Sequence, residues 1–317
     1  MKAYILRRVL FGAIVLMLVS IATFTVVRLA PGGPGVLVSP DLPASEVARI
    51  RREMGLDEPI HVQYWAWLSR SIRGDFGTSY MTGRPVLEMV VERLPATLML
   101  AGAAFGLAAA VGLSSGIFSA LRPNSVVDHV LTALSFIGIS TPPFWLGIIL
   151  ILVFAVNLRL LPSSGMQTLG APSSPLDLIS HLLMPAVVLG LISTAAISRY
   201  TRAAMLGVLR QDYIRTARSK GLTERVTLLR HALRNAMIPV ATVLGVTMTG
   251  LFGGAPVTES VFGWPGLGQL AVQAARFNDY TLIMAITLFI SVVVVFTNLI
   301  IDVLYVYIDP RVDLTGG

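Results

Sequence analysis

Nine lysines and arginines but only two acids lie between Arg199 and Arg234, and long apolar stretches stand on both sides of them. That segment alone carries a formal charge of +7, the net charge of the whole chain. Basic segments next to apolar spans stay on the cytoplasmic side, because Lys and Arg resist translocation. The pattern restricts the chain to a multi-spanning membrane protein whose long inner segment is too extensive for a hairpin. Composition agrees: 13% of the 317 residues are charged, against about 25% in a soluble domain. The missing charge is concentrated in runs long enough to cross a hydrocarbon layer of about 30 Å.

Six spans are read, at Val9–Val27, Ala96–Leu121, Val130–Val156, Leu182–Ser198, Pro239–Gly254 and Leu282–Tyr305. The first follows Lys2, Arg7 and Arg8. It is longer than the apolar core of a signal peptide and is followed by no small-residue cleavage site, so it is expected to be retained. With the N-terminus inside, the inner segments hold 14 Lys and Arg, whereas the short outer loops hold only Arg159 and Arg276. Both termini are therefore expected in the cytoplasm. The chain is expected to divide into an N-terminal segment with the first span (1–28), an extracytoplasmic segment (29–94), and a five-helix core (95–317) that contains the inner loop 199–238.

The stretch from Arg28 to Arg93 carries eight arginines and eight acids. One helix is expected from Ser45 to a stop at Gly55. A second is expected after Gln63, with Tyr64, Trp67, Leu68 and Ile72 at helical spacing and tryptophans suited to the membrane–water boundary. Three glycine pairs show the spacing that lets membrane helices approach closely: Gly102 and Gly106, Gly112 and Gly116, Gly250 and Gly254. In the third span, Pro142 and Pro143 follow Ser140 and Thr141, and two missing N–H donors should bend or interrupt the helix. These four residues are expected either to line a pathway or to form a packing kink.

Several chemistries are missing. No phosphate-binding loop of the G-x-x-x-x-G-K-[ST] type occurs, the four histidines have no metal-ligand spacing, and no nucleophile–base signature is present. Cysteine is absent, which rules out disulfides and thiolate metal sites. The pI near 10.1 arises from a loop tethered to membrane at both ends, which argues against nucleic acid. Asp302 is the main ionisable residue expected inside a span, whereas ion-coupled carriers use several. The chain reads as a non-catalytic subunit that receives its energy from another polypeptide. The inner segment is expected to form two helical pieces around Gly221: one continuing out of the fourth span from Tyr200 to Lys220, the other capped by Thr223 with Val226, Leu229, Leu233 and Met237 on one face. Composition leaves two roles open for it, docking to a partner or lying on anionic lipid.

Gln211-Asp-Tyr-Ile-Arg-Thr-Ala-Arg-Ser-Lys-Gly-Leu-Thr-Glu-Arg and Leu229-Arg-His-Ala-Leu-Arg-Asn-Ala-Met-Ile-Pro resemble the cytoplasmic loop of ABC-importer permeases, above all the dipeptide/oligopeptide/nickel branch. The likeness covers nearly the whole chain. Leu29-Ala-Pro-Gly-Gly-Pro is similar to the motif after the first span, with Gly33 where Asp is usual. Gly55-Leu-Asp-Glu-Pro, Gln63-Tyr, Gly74-Asp-Phe-Gly-Thr-Ser, Glu259-Ser-Val-Phe-Gly-Trp-Pro-Gly-Leu-Gly, Asp302 and Asp309-Pro-Arg-Val also match. Arg215-Thr216-Ala217 stands where the general motif opens Glu-Ala-Ala, so no Glu-mediated contact is expected at Arg215.

The resemblance implies an all-α membrane protein with six transmembrane helices in the type I ABC importer permease fold, in a bacterial or archaeal cytoplasmic membrane. It implies a homologous second permease, two nucleotide-binding subunits, an extracytoplasmic substrate-binding protein and a peptide substrate, with nickel or another small solute as the alternative. ATP and Mg would sit on the partner subunits, with no cofactor on this chain. Arg215, Thr216, Ala217, Arg218, Lys220, Gly221, Leu222, Thr223 and Arg225 would couple to the ATPase. Phe262, Trp264, Pro265 and Gly266 would form a loop facing the binding protein. A stand-alone carrier or channel is the reading from a different class.

Overall fold

The computed structural model describes residues 2–29, 43–53, 55–170, 172 and 174–308. The motif after Leu29, including Gly33, and the tail from Asp309 lie outside the described residues. The elements are α1 (Lys2–Leu29), α2 (Ala44–Glu53), α3 (Ile60–Ile72), α4 (Val86–Leu121), α5 (Val126–Ser140), α6 (Pro143–Leu150), α7 (Pro175–Leu209), α8 (Asp212–Ser219), α9 (Glu224–Val226), α10 (Arg234–Val261), α11 (Leu267–Arg276) and α12 (Tyr280–Ile308). A π-helical run, Ile151–Asn157, prolongs α6, and a second, Thr227–Leu233, joins α9 to α10. Among the described residues the sole β feature is a bridge between Thr78 and Pro85.

Five helices are long and apolar enough to cross a membrane: Ile5–Leu29, Val86–Leu121, Pro175–Leu209, Glu224–Val261 and Tyr280–Val303. Four cover an expected span and run beyond it, because the helices continue past the apolar stretch into polar turns, and Tyr280–Val303 matches the sixth up to its last two residues. The third expected span, Val130–Val156, is two helices meeting at 106°. Thr141 and Pro142 are extended, with ψ of 121° and 130°, as the residue before a proline prefers, and Pro143 opens α6 where a missing N–H is harmless. Thr141 compensates at the break by donating its hydroxyl to the Ile137 carbonyl at 2.7 Å. Each arm has 15 residues, about 22 Å at 1.5 Å per residue, so neither crosses the hydrocarbon alone.

The chain forms two compact units, Met1–Thr97 with Pro265–Leu299, and Leu98–Trp264 with Ile300–Gly317. In the first, Phe24 and Val27 of α1 pack with Tyr64 and Trp67 of α3 and with Tyr280 and Met284 of α12. The Tyr64–Trp67 face is thus buried as its spacing predicts, whereas Ile72 at the helix end is 77% exposed. A second core joins Val86, Met89 and Val90 of α4 to Leu267 and Leu270 of α11 and Leu282 and Ile286 of α12. The buried Asp279 carboxylate ties this unit together, accepting from Ser79 Oγ at 2.6 Å and from the backbone N–H groups of Met81 and Leu282. In the second unit α7 packs against α5 and α10. A Cβ added at Gly112 would lie 2.8 Å from Ile197 Cβ, and one at Gly116 would lie 2.6 Å from the Ser198 carbonyl oxygen, so this glycine pair sets the approach of α4 to α7. Gly102, Gly106 and Gly250 face open space within the chain.

Candidate functional site: the basic inner turn

The fourth span does not continue as one helix to Lys220. It ends at Leu209, Gln211 turns to an extended backbone (ψ 148°), and α8 starts at Asp212. Burial explains the break. Ile214 is fully buried with Met205, Ala120, Ala232 and Ala236, and a straight extension of α7 would carry Ile214 away from these partners. Ala217, one α8 turn later, is buried as well.

Gly221 closes α8. Its φ is +78°, the left-handed region that L side chains avoid. The Gly221 N–H donates to the Arg218 carbonyl and the Leu222 N–H to the Ala217 carbonyl, at 3.0 and 3.4 Å, the paired bonds of a Schellman stop. Across the turn Arg218 grips Glu224 with two hydrogen bonds, Nε to Oε2 at 3.2 Å and a terminal nitrogen to Oε1 at 2.7 Å. That bond raises the Arg218 guanidinium further above its ordinary range, so its charge is secure. Thr223 stands at the N-cap of α9, but its side chain makes no capping bond.

The turn presents Arg215, Arg218, Lys220, Leu222, Thr223 and Arg225 to the surface, with Tyr213 beside them. Ala217 points into the chain, so the expected outward packing surface is carried by Leu222 and Tyr213, 40% and 43% exposed. Beyond the turn, the expected face of Val226, Leu229, Leu233 and Met237 is not the buried one. Thr227, Ala232, Ala236 and Val240 are buried instead. The five-residue step from Thr227 to Ala232 lies in the π-helical run, which shifts the inward face by about one residue relative to a 3.6-residue repeat.

A polar cluster beside the turn escaped sequence reasoning. Arg202, one of the nine cations, binds Asp128 of α5 through two hydrogen bonds at 2.8 and 2.7 Å. Asp128 is buried and also accepts from the Ser119 hydroxyl of α4 and from the Asn124 N–H at 2.9 Å. The cluster fastens α4, α5 and α7 about two turns before α7 ends at Leu209. The signal available was an acid next to an apolar run, Asp128 in Val126-Val-Asp-His-Val.

The other expected groups are distributed differently. Of Ser140, Thr141, Pro142 and Pro143, it is Pro143 that lines a cavity of about 270 Å³ whose wall includes Ile192 and Ser193 of α7 and Thr247 and Gly250 of α10. Phe262 and Trp264 do not offer side chains at an outer surface. Trp264 is 0% exposed and Phe262 packs with Met184 and Val188 of α7 and Leu146 of α6. Gly266 is buried and Pro265 half-buried. The turn expected to face a binding protein places its large aromatics in the core.

Comparison with known proteins adds the family. Residues 1–101 match the family model described as the N-terminal part of a binding-protein-dependent transport system membrane component, and residues 112–314 the binding-protein-dependent transport system inner membrane component. The oligopeptide transport system permease protein AppB of Bacillus subtilis (strain 168) is 44% identical over 315 residues, covering 99% of this chain and 100% of that one. The glutathione transport system permease protein GsiC of Salmonella choleraesuis (strain SC-B67) is 40% identical over 313 residues, 98% of this chain and 99% of that one. Among solved structures, an inward-facing MetNI methionine ABC transporter contains a chain of the same fold, with a TM-score of 0.58 at 18% identity over 70% of this chain and 97% of that one. Apolar helices of membrane length, the type I importer permease fold and two family matches that together span nearly all residues make one statement: this chain belongs to the binding-protein-dependent transport system inner membrane component family.

Proposed function

We propose that the chain is the permease subunit of an ATP-driven importer of di- and oligopeptides, forming half of the translocation pathway with a homologous second permease. In this reading both termini and the basic turn lie in the cytoplasm of a bacterial or archaeal cell. Two nucleotide-binding subunits, which carry ATP and Mg, engage the turn from beneath, and a substrate-binding protein delivers peptide from the other side. The peptide assignment draws on the relatives named for oligopeptide and glutathione transport.

The single observation that carries the coupling role is the Gly221 turn: a short exposed basic helix, closed by a left-handed glycine and continuous through α9 with one spanning helix, α10. Displacing such a turn moves both adjoining helices, because Ile214 seats α8 against Met205 of α7 and Ala232 and Ala236 of the following segment. The exposed cations orient the partner's approach more than they add affinity. In the assembled transporter, Gly221→Trp should abolish ATP-dependent uptake while the subunits still co-purify; normal uptake by that variant overturns the coupling role. Mass spectrometry of the ligand retained by the co-purified binding protein tests the substrate, and a nickel complex in place of peptide overturns that half.

A further inference from the structure

The first unit holds a cavity of about 320 Å³ beside the last turn of α1, with Arg28, Arg70 and Tyr80 in its lining. Among the described residues, none of these three side chains donates a hydrogen bond or enters an ion pair. The Arg28 guanidinium stands over the Phe24 ring, 5.2 Å from its centroid, and its Nε is buried without an acceptor. A buried guanidinium nitrogen left in that state is costly unless a ligand supplies the acceptor. Burial pushes the Tyr80 hydroxyl up to about 12, so it remains a protonated donor.

The same cavity also offers acceptors. Gln63 spends its amide nitrogen on the Leu56 and Glu58 carbonyls at 3.1 and 2.7 Å, which leaves its buried Oε1 without a donor. Glu58 and Asp75 complete this side, although one Asp75 oxygen already accepts from the Gly77 N–H. Converging donors and acceptors suit a ligand that carries an anion and a cation close together. Depth supplies the chemical class. Arg28 closes the apolar span Ile5–Leu29, and neighbouring α3 exposes Trp65 at 58%, as residues of the membrane–water boundary do. Lipid phosphate is the abundant anion at that level.

We propose that this cavity binds a phosphoethanolamine group, with the phosphate on Arg28, Arg70 and Tyr80 and the ammonium on Glu58, Asp75 and Gln63. Phosphate held by arginine is the stronger, charge-assisted half of the contact. The assignment does not depend on the chain being an importer or on which side of the membrane the cavity opens.

The test is native mass spectrometry of the full-length chain, delipidated in detergent and supplied with equal phosphatidylethanolamine and phosphatidylglycerol. The wild-type chain should retain one phosphatidylethanolamine, and Arg28→Gln with Arg70→Gln should retain it at least about tenfold less, the loss expected from removing charge-assisted bonds. Arg84→Gln, which removes an exposed cation of the same segment outside the cavity, should behave as wild type. Tyr80→Phe deletes one hydroxyl and should give an intermediate loss, which keeps the test decisive if the double variant does not purify. An excess of free phosphoethanolamine separates the sources: no competition assigns the lipid, and full competition assigns a soluble phosphate ester. Equal retention by the wild type, the double variant and Tyr80→Phe overturns the site, and equal retention of phosphatidylglycerol overturns the ammonium half.

Discussion

Within this chain Gly221 is required for its backbone conformation and not for space. A Cβ placed there meets nothing within 4 Å, so any penalty on substitution is the left-handed backbone itself, about 1–2 kcal/mol for an ordinary L residue. A branched residue should suffer most and Asn least, since Asn enters this region with local hydrogen bonding. We therefore expect Gly221→Asn to keep most ATP-dependent uptake and Gly221→Val to lose roughly five- to thirtyfold, the population factor that one or two kcal/mol corresponds to. Equal loss in both variants, measured in proteoliposomes of the assembled complex, would show that size at the partner surface governs this position. At this scale the sequence was informative where one residue's own chemistry decides the backbone. Gly221 turned, and Pro142 with Pro143 broke the third span. It was uninformative for Phe262 and Trp264, because the side of a turn on which an aromatic lands depends on α6 and α7, which are far away in sequence.

Between helices the legible part was spacing and the illegible part was choice among equivalent spacings. Three glycine pairs looked alike, yet only in Gly112 and Gly116 do both members meet a neighbouring helix closely; of the others, Gly254 alone does, 3.1 Å from Leu189 Cδ1 for an added Cβ. Gly116→Ala forces a methyl against the Ser198 carbonyl, whereas Gly106→Ala points into open space. Overpacking of that kind typically costs about 1–3 kcal/mol, so Gly116→Ala should lower the thermal aggregation temperature in detergent and Gly106→Ala should leave it unchanged. The π-helical run between Thr227 and Leu233 was invisible for a different reason. Its buried face of Thr227, Ala232, Ala236 and Val240 obeys no fixed period, so a search at 3.6 residues picks a neighbouring stripe. Arg202 was counted simply as one of the nine cations of the inner segment, because a charge tally does not see that Asp128 has claimed it. Asp128→Ala leaves that guanidinium without its partner, a loss of about 3–5 kcal/mol for a fully buried pair. A smaller loss is expected here, because Arg202 keeps some access to water. Asp128→Glu with Arg202→Lys should not rescue it, since a lysine cannot reproduce the two-pronged bond. A stable Asp128→Ala chain with unchanged uptake would remove the cluster from any part in holding α7.

For the molecule as a whole, orientation rests on where the cations lie, and the chain offers a clean way to measure it. Cysteine is absent, so each introduced thiol is the sole target for a maleimide. Thr223, exposed in the basic turn, and Ser69, exposed on α3, are separated in the reading by an odd number of crossings. The bent pair α5–α6 makes one of these crossings jointly, since neither 15-residue arm is long enough to cross by itself. Were the pair a re-entrant excursion, α4 and α7 would still flank it, and Thr223 and Ser69 would emerge on the same side. Positive-inside bias opposes that outcome, because it would place the nine cations of residues 199–234 outside or else expose the N-terminal Lys2, Arg7 and Arg8 there. We expect a membrane-impermeant maleimide added to intact cells to label Ser69→Cys and to spare Thr223→Cys until the membrane is permeabilised. Labelling of both thiols from outside would turn the α5–α6 pair into a re-entrant element and put the Gly221 turn beyond the reach of any cytoplasmic ATPase.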